Sequence, residues 1–443
     1  MSDKIKLVYN WIGPRGPIWN TELPNILNFA NIATGVKQVD SIKYFGDDLV
    51  KFFEAHEHNS EYEVYPSVSI DHGTETRPFI LPFTLTWRIP FSQYFTGHDG
   101  ILEFGHVPFH IINNVRNNSG YILINHSIEA FMQDNYINSL HSYFSNVHKI
   151  PLHKIIYLTG CINASEIYGQ YCVSRNIPDN PHNRLSIVTY PTSFTNFIPN
   201  TENTNDMPPY DETIIPPKLF LMWNRRIRRH RIEMAVNLEK HNLVDRSLVS
   251  FSDEDQDYPG RSTIPSFDKI RLNNVFAIDD NCTQRFIDRL PLKLDDETNI
   301  TVMCQDYDNK TRQFYQQTLV SIVTETNFYD NEISITEKSF KPTKEKHPFI
   351  VVGVKGVLKG LHELGFKTFS EFWDESYDDI ADHDERMRKL MEIAAYIGTW
   401  TSEQILDFRN KVKPILDHNY EVIRTASTRH AVAKISNIVR NKL

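Results

Sequence analysis

The strongest constraint on the fold is a set of short, unbroken apolar runs that alternate with segments of helical period. Leu219-Phe220-Leu221-Met222, Ser247-Leu248-Val249-Ser250-Phe251, Leu319-Val320-Ser321-Ile322-Val323 and Pro348-Phe349-Ile350-Val351-Val352 lack the sustained polar face of a strand with one wet side. Such strands are buried on both faces, which calls for helices above and below and favours a parallel sheet. The run Arg231 to His241 supplies a helical pattern between the first two. Ile5 to Tyr9, Tyr121 to Ile124 and Lys154 to Leu158 repeat the strand signal in the first half. The latter two each lead into helix-like spacing, with Ile128, Phe131, Met132 and Tyr136 in Ser127 to Leu140, then Ile167 and Tyr168 after Ala164. The expected fold is α/β, two Rossmann-like lobes with a ligand cleft between them and binding loops at the carboxyl ends of the strands.

At 443 residues the chain exceeds one simple core. Ile198-Pro199-Asn200 through Pro216-Pro217 is rich in Asn, Thr, Pro and acid with almost no apolar periodicity, so it reads as a linker. The expected division is a lobe at 1–200, a linker at 201–217, a second lobe at 218–400 and a helical C-terminus at 401–443. Met387, Leu390, Met391, Ala394 and Ala395 form one helical stripe, and the helices after Ser402 either return to the first lobe or meet a second copy.

A net charge of −9 excludes a uniformly basic, nucleic-acid-coating surface but not a local basic cleft. Residues 1–210 carry 13 basic and 19 acidic side chains, against 34 and 37 in 211–443, so most positive charge lies in the second half. Met1 to Asn10 lack a charged-then-apolar leader, and no apolar run approaches the ~18 residues of a membrane span. Cys161, Cys172, Cys282 and Cys304 are sparse and form no CxxC pair, so reduced thiols and a cytoplasmic location are expected.

The most unusual segment is Trp223-Asn224-Arg225-Arg226-Ile227-Arg228-Arg229-His230-Arg231, five arginines at a strand-to-helix junction. Helix N-termini present free N–H groups and positive potential, and guanidinium forks grip phosphate oxygens in pairs. The plainer alternative is a solvated basic face or a partner for nearby carboxylates. Further on, Thr324-Glu325-Thr326-Asn327 ends a strand, and Ile335-Thr336-Glu337-Lys338-Ser339-Phe340 opens a helix before Pro348-Phe349-Ile350-Val351-Val352-Gly353. There a Glu suits ribose hydroxyls and a Lys suits a diphosphate, whereas simple helix capping also explains Thr336 and Glu337.

The loop, the Thr-Glu-Lys and the following apolar strand resemble the nucleotide-sugar-binding region of GT-B glycosyltransferases, especially the fucosyltransferase-like group with its Glu-Asn-Ser, Thr-Glu-Lys and Val-Pro-Val motif. The resemblance spans residues 218 to 360. It departs from the pattern in a longer Glu325-to-Thr336 spacing, Thr326-Asn327 in place of Asn-Ser, and no Gly before the Val-Pro equivalent. Leu361-His362-Glu363-Leu364-Gly365-Phe366-Lys367-Thr368-Phe369 and Trp373-Asp374-Glu375-Ser376-Tyr377-Asp378 also resemble glycosyltransferase-like proteins of large tailed bacteriophages.

The resemblance implies a nucleotide-sugar donor held by Asn224, one of Arg225, Arg226 or Arg229, Glu325, Thr336, Glu337 as ribose contact and Lys338 as phosphate contact. It implies inverting transfer to an acceptor hydroxyl, with the first lobe on the acceptor side. His126 and Glu129, after the strand Tyr121 to Ile124, are the candidates for the general base. Gly13, Arg15 and Gly16, in the loop after the first strand, suit close approach to a ligand or an ordinary rigid turn. No cofactor and no metal is required by this chemistry, although Asp253-Glu254-Asp255-Gln256-Asp257 and Asp306-Tyr307-Asp308 contain DxD. GxxxxGK[ST], HExxH, GxSxG and GxGxxG are absent. The phage likeness makes a hydroxymethylated pyrimidine of DNA one candidate acceptor, in a host cytoplasm, and a glycan the other. A non-catalytic two-lobed protein using the arginines as a protein or nucleic-acid contact surface is the competing reading.

Overall fold

The computed structural model describes residues 5–9, 12–13, 16–17, 62–66, 78–84, 109–117, 119–127, 132–191, 210–224, 226–253, 266, 280–294, 307–426 and 429–440. The chain divides into two compact units, one formed by residues 1–192 with 427–443 and the other by 193–426.

The first unit contains β1 (Ile5–Tyr9), β2 (Ile12–Gly13), β3 (Gly16–Pro17), β4 (Tyr62–Pro66), β5 (Phe79–Thr84), α1 (Phe109–Asn117), β6 (Gly120–His126), α2 (Asp134–His141), β7 (Ile155–Thr159), α3 (Ala164–Ser174) and β8 (Ser186–Thr189). Six strands make one sheet in the order β4-β1-β5-β6-β7-β8, parallel throughout, while β2 and β3 pair only with each other. Strand alternation sends Ile122 and Ile124 to one face, where they pack with Phe79, Ile155 and Tyr157 against Ile111, Val115, Tyr136, Phe144 and Tyr168. Tyr121 and Leu123 point to the other face with Ile5, Ile80, Ile156 and Leu158. Burial on both faces is why these strands read as continuous apolar runs.

The second unit contains β9 (Lys218–Trp223), α4 (Arg229–Lys240), β10 (Ser247–Ser250), α5 (Asp280–Ile287), α6 (Tyr307–Gln316), β11 (Thr318–Thr324), α7 (Glu337–Lys344), β12 (Phe349–Val352), α8 (Val357–Glu363), α9 (His383–Gly398) and α10 (Ser402–Arg424). Its sheet runs β10-β9-β11-β12, again fully parallel. α9 starts where the Asp382 carboxylate accepts from the Glu385 N–H. α10 starts at a reciprocal capping box between Thr401 and Gln404, which satisfies two otherwise unpaired N–H groups. The linker's far end is tied down, since the Tyr210 hydroxyl donates to the Arg409 carbonyl (3.1 Å) and the Arg409 guanidinium lies over the Tyr210 ring.

The two helices after residue 401 take different places. α10 belongs to the second unit, whereas α11 (Arg429–Arg440) packs on one face of the first sheet. Its Ala431, Val432, Ile435 and Val439 pack onto Ile5, Ile80, Tyr121, Leu123, Ile156 and Leu158. Burying such a Val or Ile side chain contributes about 1.5–3 kcal/mol. Among the described residues no helix is long and apolar enough to cross a membrane. Cys161, Cys172 and Cys282 are buried and form no disulfide, and Cys304 lies outside the described residues.

Candidate functional site

The strand order of the second sheet contains one reversal. From β9 the chain passes through α4 to β10 on one side, and the later strands β11 and β12 build outward on the other. The winding therefore reverses between β9 and β11, and in open α/β sheets the crevice beyond the carboxyl ends of such a pair receives ligand. In the first sheet the same reversal falls between β1 and β5.

Asn224 directly follows β9, and Thr324 ends β11. The Thr324 hydroxyl donates to Asn224 Oδ1 (2.8 Å), which joins the two strand ends and fixes the amide, leaving its Nδ2 as a buried donor. From α4 the buried Arg231 reaches the same place, its Nη1 donating to the Arg226 carbonyl (2.9 Å) and its Nη2 to the carbonyls of Thr324 (3.2 Å) and Glu325 (3.3 Å). Near these strand ends Trp223 Nε1, Asn224 Nδ2, Arg231 Nε and Asn327 Nδ2 are buried N–H groups with no acceptor in the protein, as are several such groups elsewhere among the described residues.

Two helices begin here. α4 starts after Arg228, whose side chain does not cap it, so its first N–H groups keep their positive end. α7 starts at Thr336, whose hydroxyl accepts from the Lys338 N–H (3.4 Å). Lys338 Nζ donates to Glu337 Oε1 (2.8 Å), Thr336 Oγ1 (3.1 Å) and Thr326 Oγ1 (3.3 Å). Burial raises the Glu337 carboxyl, but the ammonium groups of Lys338 and Lys341 outweigh it and hold the group at about 2. Glu337 is thus an acceptor at every physiological pH. Burial, with the Arg231 charge beside it, lowers His230 to about 3, so this ring is neutral, bonded to the Glu325 carbonyl (3.0 Å) and stacked on Phe328.

Of the residues singled out from the sequence, Asn224, Arg226, Glu325, Thr336, Glu337 and Lys338 all lie on the β9 and β11 ends or on the start of α7. Arg229 and Glu325 have their charged groups turned to partners within the protein. Arg229 Nε donates to the buried Glu233 carboxylate (2.6 Å), its Nη2 reaches Asp384 (3.3 Å), and the guanidinium lies over the Tyr329 ring. Glu325, 1% exposed, turns both oxygens toward Thr326, Thr336 and Ser339 instead of toward open space.

His126, expected to face an open site, is completely buried at the end of β6. Its Nδ1 lies 2.9 Å from the Tyr157 hydroxyl and 3.4 Å from that of Tyr136. Enclosed in this way, the ring faces tyrosine hydroxyls and not the open site expected of a base. Gly13 sits opposite Gly16 in the small β2–β3 ladder just after β1, at the reversal of the first sheet. Arg15, Glu129, Arg225, most of the first DxD segment and Asp306 lie outside the described residues.

Sequence reasoning passed over Arg231, Asn327 and Ser339. Arg231 was one arginine among five, and only its burial separates it from its neighbours. Ser339 stands three residues after Thr336, so both hydroxyls meet Glu325 from adjacent positions on the first turn of α7.

No family model matches the chain, and no curated protein matches it. Several solved structures are similar to it. A UDP-forming α,α-trehalose-phosphate synthase from Burkholderia xenovorans aligns at 10% identity and a TM-score of 0.44, over 95% of this chain and 83% of that one. The corresponding enzyme from Burkholderia vietnamiensis aligns at 12% identity and a TM-score of 0.40, over 96% and 81%. A further trehalose-6-phosphate synthase aligns at 10% identity and a TM-score of 0.41, over 95% and 82%.

Proposed function

We propose that the protein is a nucleotide-sugar-dependent glycosyltransferase of GT-B architecture, with its donor held at the β9–β11 reversal. The observation that carries the reading is the partly exposed Lys338 ammonium and Glu337 carboxylate at the start of α7, beside the β11 end and the start of α4. A diphosphate supplies acceptor oxygens and negative charge together, and Glu337 accepts from the ribose hydroxyls.

In the reaction an acceptor hydroxyl attacks the anomeric carbon as the bond to the diphosphate oxygen breaks. The electron pair leaves on the phosphate, where Lys338 and the helix ends stabilise it because they are already oriented. A single displacement of this kind inverts the anomeric centre, and the proton lost by the hydroxyl passes to a base on the acceptor side. Glu129 is the base candidate that remains once His126 is found buried. The acceptor is a hydroxymethylated pyrimidine of DNA, as in phage DNA modification, or a glycan hydroxyl.

The test is a thermal-shift panel of UDP, GDP, CDP, TDP and ADP. A ligand at ~100 times its dissociation constant adds ~2.7 kcal/mol. One nucleotide is expected to shift the midpoint and Lys338→Ala to abolish that shift. No shift from any of them refutes a donor site and returns the arginine run to a contact surface. With a donor in hand, turnover on hydroxymethylated DNA against oligosaccharides assigns the acceptor, and the anomeric proton coupling of the product reads the stereochemistry.

A further inference from the structure

Glu325 is almost wholly enclosed, yet its carboxylate receives four hydrogen bonds. The Thr336 N–H (3.0 Å) and Ser339 hydroxyl (2.7 Å) donate to Oε1, and the Thr336 hydroxyl (2.6 Å) and Thr326 N–H (3.3 Å) donate to Oε2. Each oxygen thus takes one backbone N–H and one hydroxyl. Lys338 Nζ in turn rests on the hydroxyls of Thr326 and Thr336, the two threonines that Glu325 holds. From these contacts we infer that Glu325 is a positioning residue that touches no ligand and sets the Lys338 ammonium and the first turn of α7 for a phosphate-bearing ligand.

The inference rests on the donor-site reading above and adds the means by which that site is shaped. Glu325→Gln is the informative replacement. A hydroxyl can reverse and accept, but a backbone N–H cannot, so either orientation of the new side-chain amide sets its NH2 against the N–H of Thr336 or of Thr326. The start of α7 must then shift, carrying Lys338 with it.

The test is a double-mutant cycle on affinity, read with inorganic pyrophosphate and with the nucleotide panel. Glu325→Gln and Lys338→Ala are each expected to weaken binding by roughly tenfold or more, the scale of one charge-assisted contact. Together they are expected to weaken it little further than Lys338→Ala alone, because the first acts through the second. Should Glu325→Gln fail to fold, Thr336→Val and Thr336→Ser ask the same question with the carboxylate intact. Val is expected to lose affinity non-additively with Lys338→Ala, and Ser to restore it.

Losses that multiply to about a hundredfold, or wild-type affinity in Glu325→Gln, overturn the role given to Glu325 and leave the donor site standing. Binding of pyrophosphate without any nucleotide overturns the nucleotide-sugar reading, and the cycle run on pyrophosphate still judges Glu325. Binding of neither overturns both.

Discussion

Replacing Arg229 by methionine separates a structural cation from a ligand clamp. Glu233 is 1% exposed, and its carboxylate has the Arg229 guanidinium at 2.6 Å and the Tyr329 hydroxyl at 3.2 Å. Methionine keeps the apolar stem of the side chain and removes the charge, leaving a buried carboxylate with one neutral donor. Breaking a fully buried pair costs about 3–5 kcal/mol. Arg229 itself is 35% exposed and shared with the half-exposed Asp384, so solvent already screens part of the interaction, and about 2 kcal/mol is the expected loss. For a unit of this size that lowers the melting midpoint by roughly 4–8 °C.

The pH dependence has a definite sign. Burial already raises the Glu233 carboxyl and Arg229 pulls it back down, so the variant raises it further. A carboxyl raised on folding binds more protons in the native state than in the unfolded one, and stability then falls as pH rises. The deficit of Arg229→Met is therefore expected to be small near pH 5 and larger at pH 8, read by urea denaturation at both values. Nucleotide affinity is expected to stay within about twofold of wild type, less than the loss of any one charged contact. Unchanged stability with a tenfold or greater loss of affinity would refute the argument and return Arg229 to the ligand.

Two further substitutions probe the first unit. A Cβ on Gly120 would lie 2.4 Å from Phe79 Cζ and 2.9 Å from Val115 Cα, so Gly120→Ala is expected to cost about 1–3 kcal/mol by overpacking. An unchanged unfolding midpoint would show that α1 yields freely. Ile435→Asp places a charge where α11 meets the sheet and is expected to release that helix, seen as new proteolytic cleavage between the units and binding of an apolar dye. Retained protection would show that the cover is not needed.

The central strands were legible because burial on both faces writes them as apolar runs. Leu219 to Met222 falls inside β9, Leu319 to Val323 inside β11, and Ile5 to Tyr9 coincides with β1. The strands that escaped are those whose composition argues against them. β4 ends at Pro66 and β5 contains Pro82, residues expected only at strand edges or ends. β8 has only four residues and a half-buried face. The position of the arginine run after a strand and of the Thr-Glu-Lys at a helix start was also legible, since β9 ends at Trp223 and α7 starts at Glu337. Their division of labour was not. Whether Glu325 faces a ligand or three hydroxyl and amide neighbours depends on where α7 lands against β11, and spacing along the chain carries no such distance. His126 misled for a related reason, since a histidine after a strand looks the same whether its ring meets solvent or two tyrosines.

The return of α11 to the first unit also bears on synthesis. Residues 193–426 emerge from the ribosome as a continuous block after most of the first unit has been made, while the helix that covers Ile5, Ile80, Tyr121, Leu123, Ile156 and Leu158 is translated after that block. At roughly 5–20 residues per second the wait is on the order of ten to fifty seconds. Throughout that interval those six side chains lack the contacts that Ala431, Val432, Ile435 and Val439 give them. The second unit, contiguous in sequence, can thus complete its core before the first has received its last helix.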